Sequence, residues 1–229
     1  PIVAFVYRLG EENISEEDLS EFYKFVTMDY QNPLGHLHLD LEGVVNFKAL
    51  LFIPSNAPYD LFQDIQDKKG LHLYANRVFI QDDAGNELLP EYLRFIVGVV
   101  DTEDLPLNIS RETTQHSPAM GKIKNILTKK ILGMLENWAE EKPGKYEKFF
   151  RNFGPLFKTG LNTDFSNKDR IMKLLRYESS KTKKGEYTSL EKYVDRMDDD
   201  QDEIYYITGD NREVVEKNPN LEYFEDNDI

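Results

Sequence analysis

Hydrophobic side chains change their period at Ser117. Over most of the stretch before it, apolar residues come in short β-branched and aromatic runs or alternate with polar ones, as strands do. After it, Ile123, Ile126, Leu127, Ile131, Met134, Leu135 and Trp138 recur at three- and four-residue spacing, with Ser117 placed to cap and Pro118 to open one long helix. A chain that switches rhythm in this way is of mixed α/β class. The composition supports real cores, since 40% of the 229 residues are hydrophobic and 12% aromatic.

Other elements follow from local signals. Ser15 with Asp18, framed by Ile14 and Leu19, marks a helix start, and Leu19, Phe22, Tyr23 and Val26 fall on one stripe of it. Leu37, Leu39 and Leu41 alternate with polar residues, and 44–53 is β-rich, with Gly43 as the turn between them. Residues 71–80 read as one further strand, and Pro90 opens a short helix through Leu93. The apolar run 95–100 is too short for a helix, and Gly98 within it marks a bulge or a close backbone approach. Beyond the long helix, which Pro143-Gly144 ends, the pattern gives a helix over 146–153 that stops at Gly154-Pro155, then one from near Asn167. Thr188 with Glu191 reads as a capping box for a helix reaching Met197, 204–208 as a strand and 213–217 as a helix. The resulting architecture is a larger α/β/α sandwich layer over 1–115, a helical connector over 116–165 and a smaller α/β/α layer over 166–229.

Charge and composition exclude several function classes. With 42 acidic against 28 basic residues, a net charge of −14 repels nucleic-acid backbones and anionic lipid. No apolar run approaches eighteen residues, so neither a membrane span nor a secretory leader is expected. Zero cysteines remove disulfides, thiolate metal sites and cysteine nucleophiles, and fit a reducing, cytoplasmic setting. Pro1 without a methionine, and the acidic turn 225–228 as a lead-in to another strand, read as cuts within something longer.

The usual catalytic motifs are missing. Gly121-Lys122 resembles the end of a phosphate-binding loop, but His116 stands where glycine is required and Ile123 where a hydroxyl is. His36 and His38 share a strand face yet lack a third ligand, so metal binding is not expected. Asp101 and Asp104 show no spacing suited to an independent hydrolase. Arg111, ahead of the long helix and among Asp101, Glu103, Asp104 and Glu112, is on its own terms a solvated surface ion pair. A planar, permanently charged fork at that place could also reach a phosphoryl group and stabilise charge growing on it, with Gln115 four residues on as a companion.

The run Phe95-Ile96-Val97-Gly98-Val99-Val100-Asp101-Thr102-Glu103-Asp104-Leu105-Pro106-Leu107-Asn108-Ile109-Ser110-Arg111-Glu112 resembles the signature of the ninety-kilodalton heat-shock chaperones. Further matches lie at Glu21-Phe22-Tyr23-Lys24, Leu51-Phe52-Ile53-Pro54, Ala57-Pro58-Tyr59-Asp60-Leu61-Phe62, Leu174-Leu175-Arg176-Tyr177, Thr188-Ser189-Leu190 and Ile204-Tyr205-Tyr206-Ile207-Thr208-Gly209, in the family's order. Together they resemble the family's middle domain, of the bacterial HtpG type.

That resemblance implies a split active site. ATP and Mg2+ would be held by a separate N-terminal domain, and Arg111 would be swung onto the γ-phosphate, with Gln115 as its companion and Asn108 steadying the loop. The fragment alone would then be inactive. Implied partners are unfolded or partly folded client proteins, the protein's own N-terminal ATPase domain and its C-terminal dimerisation domain, in a full-length homodimer whose isolated fragment is monomeric. Phe52 matches a client-binding position, though an inward-facing strand residue explains it equally well. Thr113 and Thr114 stand where the family more often has apolar residues. The alternative is a stand-alone α/β adaptor or scaffold whose acidic surface docks other proteins and whose Arg111 meets no phosphate.

Overall fold

The computed structural model describes residues 2–11, 14–58, 61, 70–105 and 117–227. The chain divides into two compact units, Pro1–Met172 and Lys173–Ile229.

The first unit is built on one five-stranded sheet. Its strands are β1 (Gly35–Leu41), β2 (Phe47–Ile53), β3 (Leu71–Ala75), β4 (Val78–Gln81) and β5 (Val97–Thr102), in the spatial order β1-β2-β5-β3-β4. All neighbours are antiparallel except β3 and β5, which run parallel. In β2, Leu50 and Phe52 point to one face and Ala49, Leu51 and Ile53 to the other, and none is more than 1% exposed. A strand buried on both faces needs a layer on each side.

Helices α1 (Ile2–Arg8) and α2 (Glu16–Thr27) supply one of those layers. Ser15 caps α2 as its sequence promised, its Oγ accepting the Asp18 N–H at 3.1 Å. Leu19, Phe22 and Tyr23 pack with Leu50, Phe52, Tyr74 and Val99, and Phe5 of α1 stacks on Phe22 with ring centroids 4.1 Å apart. Nothing in the sequence pattern had assigned α1.

The segment 71–80, expected as one strand, is a hairpin of β3 and β4. Asn76 and Arg77 both lie in the left-handed region, at φ 49° and 66°, which gives the two-residue turn the twist of its strands. Two bonds to β5 hold it: Asn76 N–H donates to the Thr102 carbonyl at 3.1 Å and Arg77 N–H to Asp101 Oδ1 at 2.9 Å.

Beyond the sheet come a short helix α3 (Gly85–Leu88) and a 3-10 turn, Glu91–Leu93, behind Pro90. Helix α4 (Pro118–Glu141) buries Ile123, Leu127, Ile131, Leu135 and Trp138, the expected stripe. Helix α5 (Pro143–Lys158) does not stop at Gly154-Pro155 as expected but runs through it. Proline inside a helix costs about 3 kcal/mol. Against that, Tyr146, Phe149, Phe150, Phe153 and Phe157 are all buried on this helix, at roughly 1.5–3 kcal/mol each. Phe153 stacks on Phe95 at 4.5 Å, so the apolar face on both sides of the proline holds the helix together. Short helices α6 (Gly160–Thr163) and α7 (Lys168–Leu174) follow.

The second unit holds short helices α8 (Leu190–Val194), α9 (Arg212–Val215) and α10 (Glu222–Asp226), with one antiparallel bridge, Tyr177 to Thr188. Ser189, rather than Thr188, caps α8, its Oγ accepting the Lys192 N–H at 3.1 Å, because Thr188 is occupied in that bridge. Residues 204–208, expected as a strand, pair with no strand among the described residues. Their side chains are open to solvent, Tyr206 at 87%. β-propensity expresses a fit to neighbouring strands, and none lies beside them.

Candidate functional site at the end of strand β5

The segment that carries Asn108, Arg111 and Gln115 lies outside the described residues, but both of its flanks are described. On the near side β5 delivers it. That strand is the middle one of the sheet, and Gly98 lets it sit there: at φ 142°, a Cβ on this residue would collide with the Leu50 carbonyl of β2. The close approach read from the sequence is therefore the one that occurs.

At the end of β5 the backbone is tied to the β1–β2 turn by the side chains of Thr102 and Asp104. Thr102 Oγ1 donates to the Asn46 carbonyl at 2.8 Å and accepts the Asp104 N–H at 3.2 Å. Asp104 Oδ2 in turn accepts the Asn46 N–H at 2.6 Å. Leu105, the last residue before the segment, is 2% exposed. These partners are 56 to 58 residues apart in sequence, so no local pattern announces them.

The two carboxylates considered for hydrolysis are thus engaged in holding turns. Asp104 fixes Asn46, and Asp101 accepts from Arg77. Asp101 is 6% exposed, and burial raises its pKa above the ordinary carboxylate value even though the Arg77 N–H and the facing Lys48 of β2 favour the charged form. Around it, Asp40, Glu42 and Glu103 line a cleft of about 280 Å3 in which Lys48 Nζ meets Asp40 Oδ2 at 2.6 Å.

On the far side, Ser117 is the N-cap of α4 with extended dihedrals, φ −74° and ψ 126°, and Pro118 occupies the first turn. The Ser117 side chain makes no cap hydrogen bond. Met120 and Ile123, at 2% and 0% exposure, root this end in the core.

The remaining sequence candidates fall elsewhere. Phe52, weighed as a client-binding side chain, is 1% exposed and lies among the rings of Tyr23 at 5.5 Å and Phe22 at 6.2 Å, so its side chain is a core residue. His38 is engaged with the Leu9 carbonyl at 2.8 Å, and His36 faces Glu16 at 3.9 Å. Among the described residues no helix is long and apolar enough to cross a membrane.

Comparison with known proteins places this arrangement. The model of the family described as Hsp90 protein matches residues 6–229. The chaperone protein HtpG of Chlorobaculum tepidum is 52% identical over 226 residues, which cover 98% of this chain and 36% of that protein. HtpG of Geobacter sulfurreducens is 43% identical over 219 residues, covering 96% of this chain and 33% of its own. The chain thus spans about a third of the length of these curated relatives. Among solved structures, the middle domain of a Plasmodium falciparum heat shock protein superposes with a TM-score of 0.79 at 30% identity, over 95% of this chain and 84% of that one. The chain belongs to the Hsp90 protein family and corresponds to its middle domain.

Proposed function

We propose that this chain is the middle segment of an ATP-dependent molecular chaperone and supplies Arg111 to the γ-phosphate of ATP bound by a separate N-terminal domain. The observation that carries this reading is the family match across residues 6–229, which includes the run from Phe95 to Glu112. The fixed flanks support it, because a group that must arrive at a phosphate from another domain needs a rigid base. Clamping of Thr102, Asn46 and Asp104 on one side and burial of Met120 and Ile123 on the other give that base.

In this reading the Arg111 guanidinium neutralises charge that grows on the phosphoryl group, Gln115 assists it and Asn108 steadies the segment. ATP and Mg2+ belong to the N-terminal domain, and the nucleotide supplies the phosphoanhydride bond that is hydrolysed. The isolated chain is inactive. The whole protein works as a cytoplasmic homodimer, joined through a C-terminal domain, that holds partly folded clients during folding. A cytoplasmic setting accords with kinship to bacterial HtpG. Phe52 is not among the client contacts, because its ring is enclosed.

The test is Arg111→Ala in the longer protein that carries the nucleotide domain. A transferred arginine is worth about 10³–10⁵ in phosphoryl-transfer rate, so turnover should fall by at least about 10³ while nucleotide affinity stays within a few-fold. Near-normal turnover would refute the assignment, and ATP hydrolysis by this chain alone would refute the split site.

A further inference from the structure

A groove of about 500 Å3 opens on the first unit, between α2, the lead-in to β1, and the junction of α4 with α5. Its accessible apolar floor comes from the half-buried Leu34, Leu37 and Met134, with Leu19 and Trp138 buried beside them. The backbone at Gly35 rests directly on the indole of Trp138, where any Cβ would collide with the ring. Lys145 covers the same indole, its Nζ 4.1 Å from the ring centre.

The groove is basic in a chain whose net charge is −14. His36, Lys142 and Lys145 share its wall. Neither lysine forms an ion pair with a described carboxylate, and the one acid in the lining, the 84% exposed Glu16, stands 3.9 Å from His36. Mutual repulsion adds to burial here. Desolvation and then Lys142 lower the Lys145 pKa, with Glu16 opposing; His36 is lowered by desolvation, and there the pull of Glu16 outweighs the push of Lys145 or of His38. An arriving carboxylate relieves that repulsion.

We infer that this groove docks a peptide segment in which one or two large apolar side chains are flanked by aspartate or glutamate. The apolar residue fills the floor while the carboxylates meet Lys142, Lys145 and His36. A free small anion would leave the floor unused. A nucleobase would find no aromatic face, since Trp138 is 4% exposed and enclosed between Gly35 and Lys145. The volume falls in the range of pockets that enclose small ligands or a few side chains. This site is independent of the Arg111 reading.

Trp138 is the chain's single tryptophan, so its emission reports on this groove alone. The intact chain is titrated with a hexapeptide of leucine and phenylalanine flanked by two acidic residues on each side, with a lysine-flanked counterpart, and with an acidic peptide carrying glycine and serine at its centre. The first should change Trp138 emission saturably, the other two at least ten-fold more weakly. Raising salt from 50 to 500 mM should weaken the first several-fold. The solvent-exposed Lys142→Glu should weaken it at least five-fold with an unchanged melting temperature, and Lys142→Glu with Lys145→Gln should abolish it. Equal response to acidic and basic peptides, full-strength binding by Lys142→Glu, no saturable response at millimolar peptide, or a concentration-dependent dimer that Lys142→Glu dissolves would each overturn the proposal.

Discussion

The Tyr92 hydroxyl donates to Asp164 Oδ2 at 2.8 Å, joining the turn before β5 to the turn after α6 across 72 residues of sequence. Tyr92 is fully buried, and Gly160 sits so close to its ring that a Cβ would fall 2.9 Å from Cγ. Burial and the neighbouring Asp164 raise the phenol's pKa, which keeps it protonated as donor. Tyr92→Phe should keep the packing and lose the bond. The expected loss of stability is about 1–2 kcal/mol by denaturant titration, because Asp164 retains the Asn167 N–H and Nδ2 as donors.

Two glycines should respond to alanine in opposite directions. Gly98→Ala drives a methyl group against the Leu50 carbonyl from a positive φ of 142°, and should cost more than about 3 kcal/mol or prevent folding. Gly121→Ala lies on an exposed face of α4 with nothing within 4 Å, and should raise stability by about 0.5–1 kcal/mol. Thermal melts of the two variants beside the parent check both signs.

Arg170 of α7 grips Glu136 of α4 with both arms, Nε to Oε1 and Nη2 to Oε2, each at 2.7 Å. Both side chains are about a third exposed, so solvent screens the pair. Arg170→Ala should cost about 1 kcal/mol, and Arg170→Lys should recover less than half of it, because an ammonium cannot reproduce the fork. A double-mutant cycle with Glu136→Gln measures the coupling.

Asp101 gives the molecule a pH dependence of definite sign. Its carboxyl is pushed up by burial, so the folded chain holds that proton more tightly than the unfolded chain does. Its contribution to stability is therefore present at acid pH and lost as pH rises through the folded value. Asp101→Asn keeps an oxygen for the Arg77 N–H and removes the charge. The variant should melt higher than the parent at pH 7, with the gap closing as pH approaches 4.

Local signals were legible in the sequence and distant ones were not. Ser15 and the α4 stripe could be read because a cap and a helical face are encoded within a few residues. The β3–β4 turn escaped notice because Asn76-Arg77 has no glycine, and its left-handed residues are held by β5, some 24 positions on. Helix α5 outlasted its proline because packing against Phe95 decides the matter, and that contact is invisible in a window of α5 alone. At the candidate site, the run from Phe95 to Glu112 carried its family likeness in plain order, whereas the Thr102–Asn46–Asp104 clamp depends on two turns meeting in space. The groove's lysines belong to the same class, since Lys142 and Lys145 gain meaning only when His36 of β1 lies beside them.

The central place of β5 has a bearing on exchange kinetics. Amides of β5, a strand paired with β2 on one side and β3 on the other, are released to deuterium only when the surrounding sheet comes apart, whereas those on the outer strands β1 and β4 can fray singly. The stalk on which residue 106 and its successors are mounted is thereby drawn from the slowest-opening part of this unit. That stalk stays folded while the sheet's margins breathe.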